Sequence, residues 1–195
     1  MKKLALILVS LIIASTLLLA GCVKNQTTTP TSASGAVTTT SADTILTVTN
    51  GTKTVSYSLA DLKAMPSISG WGGMSTMHGN VSSTQYKGVS MSTLLKAVGG
   101  MTDKESLVVT AKDNYTRTLT YDQVVNGNFT VSDTSGNQIT PSTKPVLFVV
   151  YEQSGAALDS ESGPLMLGIM TAQNQLTGGD NWVKELCNIQ VVPAQ

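Results

Sequence analysis

The run Gly70-Trp71-Gly72-Gly73-Met74-Ser75-Thr76-Met77-His78-Gly79-Asn80 holds the chain's only histidine, one of two tryptophans and two of eight methionines. Thioether and imidazole donors suit Cu(I), and Met74, Met77 and His78 place three of them within five residues, as a soft-metal site would. The run also reads as the edge of a small-ligand pocket, with Trp71 as the platform and His78 as the polar contact. A third reading makes no site of it. Methionines commonly fill irregular gaps in a core, and the glycines would then serve only to turn the chain as a loop.

Other groupings offer less. Asp159-Ser160-Glu161-Ser162 presents two carboxylates to a hard cation, but no further ligands follow at a usable spacing, so a surface loop is the reading. A single histidine inside a glycine-rich run does not make a Ser-His-Asp constellation, and no phosphate-binding glycine motif leads from a strand into a helix. Twelve Lys and Arg balance twelve Asp and Glu. No basic stripe exists to neutralise phosphates, which excludes nucleic acid as a partner, and no charge run suggests a peripheral anionic-lipid site.

The amino terminus carries the clearest address. Lys2 and Lys3 precede an apolar run from Leu4 to Leu19, and Leu19-Ala20-Gly21-Cys22 follows. This is the arrangement of a secretory signal; the cysteine after Ala-Gly resembles a bacterial lipobox, which implies cleavage before Cys22 and a lipid on its thiol. The run falls short of the roughly 20 residues a membrane span needs. Residues 1–21 are therefore expected to be a lipoprotein signal peptide and Cys22 a lipid attachment site. The mature protein would be anchored at the extracytoplasmic side of the cell envelope, with the membrane as its first partner. With Cys22 lipidated, Cys187 has no intramolecular partner, and flanking Leu186 and Ile189 suggest a buried small hydrophobe. Residues 22–43 are rich in Thr, Ser and Ala and poor in large apolar side chains, a composition that reads as a disordered stalk.

Residues 44–195 match one domain of ordinary size. Asn50-Gly51 between Ile45–Thr49 and Thr52–Tyr57 predicts a hairpin. Ser58 and Ser90 cap two short helices, the first with Asp61 reaching back to its cap and ending before Pro66, the second carrying Leu94, Leu95 and Val98 and stopping at Gly99-Gly100. Strands are expected at 107–111 and 116–120 around the Asp113-Asn114-Tyr115 turn. A helical turn over 121–125, closed by Gly127, precedes a hairpin over Ser135-Gly136-Asn137, and further strands lie at 146–151, 165–170 and 189–192. Short strands with few, short helices argue for an α+β fold, a single mixed, mostly antiparallel β domain.

Several of these pieces, taken in order, carry a resemblance. Tyr86-Lys87-Gly88-Val89-Ser90-Met91 runs into Leu94-Leu95 and Val98-Gly99-Gly100, followed by 108–111 with Asp113-Asn114-Tyr115. Gly163-Pro164-Leu165-Met166-Leu167 and Trp182-Val183-Lys184 before Ile189–Val192 complete the series. The pattern resembles the molybdopterin-binding domain of the sulfite-oxidase family over most of residues 45–192. The resemblance implies that fold, a molybdopterin cofactor and a turn at which Lys112, Asp113, Tyr115 and Arg117 flank a pocket mouth, the plainer reading of those four being a solvated hairpin end; as scaffold, Gly88 permits a tight turn into the cap.

The departures bear on function. In catalytic members a cysteine thiolate upstream of the Gly-Val-Pro-Leu element holds molybdenum, and residues 67–85 here contain none; the Pro-Leu-Arg of the family is Pro164-Leu165-Met166. The expectation is an envelope lipoprotein whose domain lacks the molybdenum ligand and binds a small ligand or an envelope protein partner, with Trp71, His78, Asp113 and Tyr115 as candidate contacts. The alternative is a molybdopterin-dependent oxidoreductase with a non-standard or partner-completed site.

Overall fold

The structure, a computed structural model, describes residues 43–194. The leader, Cys22 and all of the stalk except Asp43 lie outside them.

Turn chemistry sets the first half of the domain. Strands β1 (Leu46–Asn50) and β2 (Lys53–Tyr57) pair across Gly51 and Thr52, one residue later than an Asn-Gly turn predicts. Asn50 stays in the strand, where its side-chain amide donates to the Gly100 carbonyl at 2.8 Å. Helix α1 (Leu59–Ala64) starts with a full capping box: Ser58 Oγ accepts from the Asp61 amide, and Asp61 Oδ2 accepts from the Ser58 amide. Its buried residue is Leu62, and it ends at Met65, before Pro66. Strands β3 (Ile68–Thr76) and β4 (Gly79–Ser90) form a long hairpin turned by Met77 and His78. Helix α2 (Met91–Ala97) is capped by Ser90 and buries Met91, Leu94 and Leu95.

The second half repeats these devices. Strands β5 (Glu105–Ala111) and β6 (Thr116–Thr120) flank a turn in which Asn114 takes φ +69°. Thr120 and Gln123 form a second capping box for α3 (Tyr121–Asn126), closed by Gly127 in the left-handed region. Strands β7 (Val131–Ser132) and β8 (Gln138–Ile139) make a short hairpin, and β9 (Val146–Gln153) turns into β10 (Ala156–Ala157). Then come β11 (Met166–Met170), β12 (Leu176–Gly178), a 3-10 turn (Gly179–Asn181) and β13 (Leu186–Pro193).

Two mixed sheets result, the α+β class expected. One runs β2-β1-β13-β5-β6, with β1 and β13 parallel; the other runs β10-β9-β4-β3-β12-β7-β8, with β11 also on β9 and with β3 and β12 parallel. Side chains of both sheets join one apolar cluster with α1 and α2. Strand β9 is buried on both faces from Leu147 to Tyr151, which explains its unbroken apolar run.

Three sequence expectations need correction. The glycine-rich run is strand, not loop: Gly72 lies where a Cβ would stand 2.8 Å from Trp182 Cη2 and 2.9 Å from the Ile169 carbonyl, so glycine serves close packing rather than turning. Gly88 makes no tight turn. It sits within β4 at a register shift against β9, where a Cβ would fall on the Val149 carbonyl oxygen. Cys187 is half-buried rather than buried, because an irregularity in β13 between Leu186 and Asn188 turns it out of the alternation; its Sγ–H donates to the Thr110 carbonyl at 3.5 Å.

Candidate functional site

The hairpin of β3 and β4 holds the candidate soft donors in different settings. Trp71 is half-buried in β3, and its carbonyl accepts from the Thr171 amide at 2.8 Å. Met74 is half-buried against the apolar cluster, whereas Met77 is 98 % exposed and His78 is exposed beside it in the turn. Thr76 organises that turn, its hydroxyl donating to the Gly79 carbonyl and accepting from the His78 amide. Among the described residues, no group of three His, Cys, Asp or Glu side chains stands within metal-binding reach.

The turn between β5 and β6 separates its four candidates. Lys112, Asp113 and Tyr115 are exposed, and Asp113 Oδ1 accepts from the Tyr115 amide at 2.9 Å, the local bond that stabilises such turns. Arg117, two residues into β6, lines a cavity of about 570 Å³ with which the other three make no contact. The acidic segment is also self-satisfied. Asp159 Oδ1 accepts from the Ser162 amide, hydrogen bonds from Ser162 lower its carboxyl pKa, and Glu161 lies 3.9 Å from Lys184.

The cavity around Arg117 is a cleft where β6, an edge of the first sheet, meets the β7-β8 end of the second. Gln123 and Asn128 line it from α3 and the segment after it; Thr130, Ser132, Gly136 and Gln138 line it from the β7-β8 hairpin. The opposite wall is Ser75 of β3 with Gly178, Asp180 and Asn181. Arg117 spans the two walls: Nη2 pairs with Asp180 Oδ2 at 2.8 Å and donates to Asn181 Oδ1 at 3.0 Å, while its Nε–H is buried without a partner. The neighbouring Trp182 anchors this wall in the core, its indole N–H donating to Thr177 Oγ1 at 2.9 Å and its ring meeting Tyr86 at 5.4 Å. Burial, reinforced by the Asp159 charge, raises the Tyr86 phenol above its ordinary pKa.

Sequence reasoning found Arg117 and missed the rest. A signal was present in Asn128-Phe129-Thr130-Val131-Ser132, where polar and apolar residues alternate with the period of an extended chain; Phe129 and Val131 are buried and the polar three line the cleft. Asp180 and Asn181 reach the site only because β12 pairs with β3 and β7, a placement no local pattern announces.

Residues 67–85, which hold no cysteine, belong largely to the β3-β4 hairpin, Cys187 does not line the cleft, and Arg117 there is paired with Asp180. Met166 is buried, at 2 % exposure.

No protein-family model matches the chain, and no curated protein does. Among solved structures it is similar to the sulfane dehydrogenase SoxCD from Paracoccus pantotrophus, with 16 % identity and a TM-score of 0.52 over 75 % of this chain. The chain spans 37 % of that protein's chain. At that identity the likeness shows a shared fold and nothing further.

Proposed function

We propose that this chain is an envelope-anchored lipoprotein whose domain uses a molybdopterin-binding type of fold as a binding module for a polar ligand, without cysteine-ligated molybdenum. The observation that carries the reading is the Arg117 cleft: a concave, hydrogen-bonding site at the junction of two sheets, built without a thiol. The anchor rests on Lys2-Lys3, the apolar run and Leu19-Ala20-Gly21-Cys22. Stable attachment needs more than one acyl chain, which a diacylglyceryl cysteine would supply.

Metal and pterin analysis of the chain purified from its native host, with cofactor insertion intact, tests the absence of molybdenum. The expected result is molybdenum far below stoichiometry. Stoichiometric molybdenum that is lost on Cys187→Ser would overturn the reading and make the chain an oxidoreductase component. Lipid labelling tests the anchor: Cys22→Ser abolishes it, and persistent labelling would place the lipid elsewhere.

A further inference from the structure

We propose that the Arg117 cleft takes an uncharged, polyhydroxylated ligand, a short neutral oligosaccharide; this rests on the binding role argued above and names its ligand class. Charge comes first. Of the described side chains lining the cleft only Arg117 and Asp180 ionise, and they stand 2.8 Å apart, so each offsets the other and little field remains to draw an anion or a cation.

The second property is the chemistry of the walls. Apart from glycines, every described lining residue is polar. A ligand with an acyl chain or an aromatic body would find no apolar residue in this lining to pack against. An extended peptide added to a strand edge draws its specificity from pockets for alternate side chains, and this cleft has no apolar pocket to offer. The ligand that fits is polar on all sides.

Unused hydrogen-bonding capacity supplies the third property, and it is of both signs. Gln123 gives its Oε1 to the Thr120 amide and retains its NH₂ as donor; Asn128 gives its NH₂ to Asp122 and retains its carbonyl as acceptor. Among the described residues, the side chains of Ser132 and Gln138 make no hydrogen bond, so each is free to donate and accept. A sugar hydroxyl likewise donates and accepts, and two vicinal hydroxyls match the adjacent N–H and C=O of a carboxamide. At about 570 Å³ the cleft lies within the range of small-ligand sites, about 300–1,000 Å³.

The test is calorimetric titration of the lipidated full chain, kept in a polyoxyethylene detergent so that no glycoside competes. The panel comprises neutral mono-, di- and trisaccharides of glucose, galactose, mannose and N-acetylglucosamine. Hydrogen-exchange mass spectrometry then locates each binding event. At least one saccharide should bind and slow exchange in the segments 123–138 and 178–181. Gln138→Ala, at an exposed position, should weaken that binding about tenfold while exchange elsewhere stays unchanged, the scale of one or two lost hydrogen bonds. Ser132→Ala provides a second, independent loss. Binding of no panel member, or protection confined to other segments, overturns the proposal. Protection of the same two segments by inorganic phosphate or tetra-alanine instead of a saccharide overturns the ligand class while leaving the binding role intact.

Discussion

The bond between Trp182 and Thr177 should be measurable as a coupling energy, because both partners are buried and each depends on the other. Trp182 is 5 % exposed and Thr177 1 %, with Nε1 and Oγ1 2.9 Å apart. Thr177→Val preserves shape and removes the acceptor, leaving a buried indole N–H unpaired at a cost of about 1–3 kcal/mol. Trp182→Phe removes the donor, leaves the Thr177 hydroxyl unpaired and empties the space of one ring against Tyr86 and Gly72, together about 2–4 kcal/mol. In the double variant no polar group is stranded, so its loss should fall short of the sum of the singles by about 1–2 kcal/mol. Equilibrium urea unfolding followed by far-ultraviolet circular dichroism measures all four proteins without relying on tryptophan fluorescence. A Thr177→Val variant as stable as the parent, or singles that add within about 0.3 kcal/mol, would refute the claim that this bond holds the cleft wall to the core.

Gly88→Ala should destabilise by about 2 kcal/mol or more, since its Cβ meets the backbone of β9, which cannot rotate away; a loss below about 0.5 kcal/mol in the same urea assay would contradict that packing. Met77→Leu should leave stability within about 0.5 kcal/mol, because the side chain is 98 % exposed. With Met74→Leu alongside it, chelator competition should show unchanged Cu(I) affinity, and a clear loss would instead establish a soft-metal site at the hairpin tip. Asp61, Asp122, Asp133 and Asp159 all have lowered carboxyl pKa values from local hydrogen bonds, so they release protons more readily folded than unfolded. Their contribution to stability is present above the unfolded Asp value of about 3.9 and is lost as pH falls through the lower folded values; urea midpoints between pH 6 and about 2.5 should drop, and less steeply in Asp159→Asn. Arg117→Met should abolish saccharide binding at the cleft while Lys112→Met leaves it unchanged, as calorimetry would show.

Much of the fold was legible because its devices are local. The capping box at Ser58, the cap at Ser90, the glycine stops and the Asp113-Asn114-Tyr115 turn each require only a few neighbouring residues, and each stands where the residue types place it. The β3 strand was not legible for a reason of the same kind. Glycine is depleted in strands, so Gly70-Trp71-Gly72-Gly73 reads as loop until the ring of Trp182, more than a hundred residues later in the chain, is seen to lie where a Cβ at Gly72 would be.

The cleft divides along the same line. From the sequence alone come the neutrality of the chain, the lack of a cysteine in residues 67–85 and the polar alternation of residues 128–132, since these follow from residue types and short spacings. That Arg117 stands beside Asp180 and Asn181 was decided only when β12 settled between β3 and β7 and set the turn after it beside β6. Pairing between strands far apart in sequence is selected by the burial of a whole face rather than by any local preference, so the partner that neutralises a charge is a property of the assembled sheets.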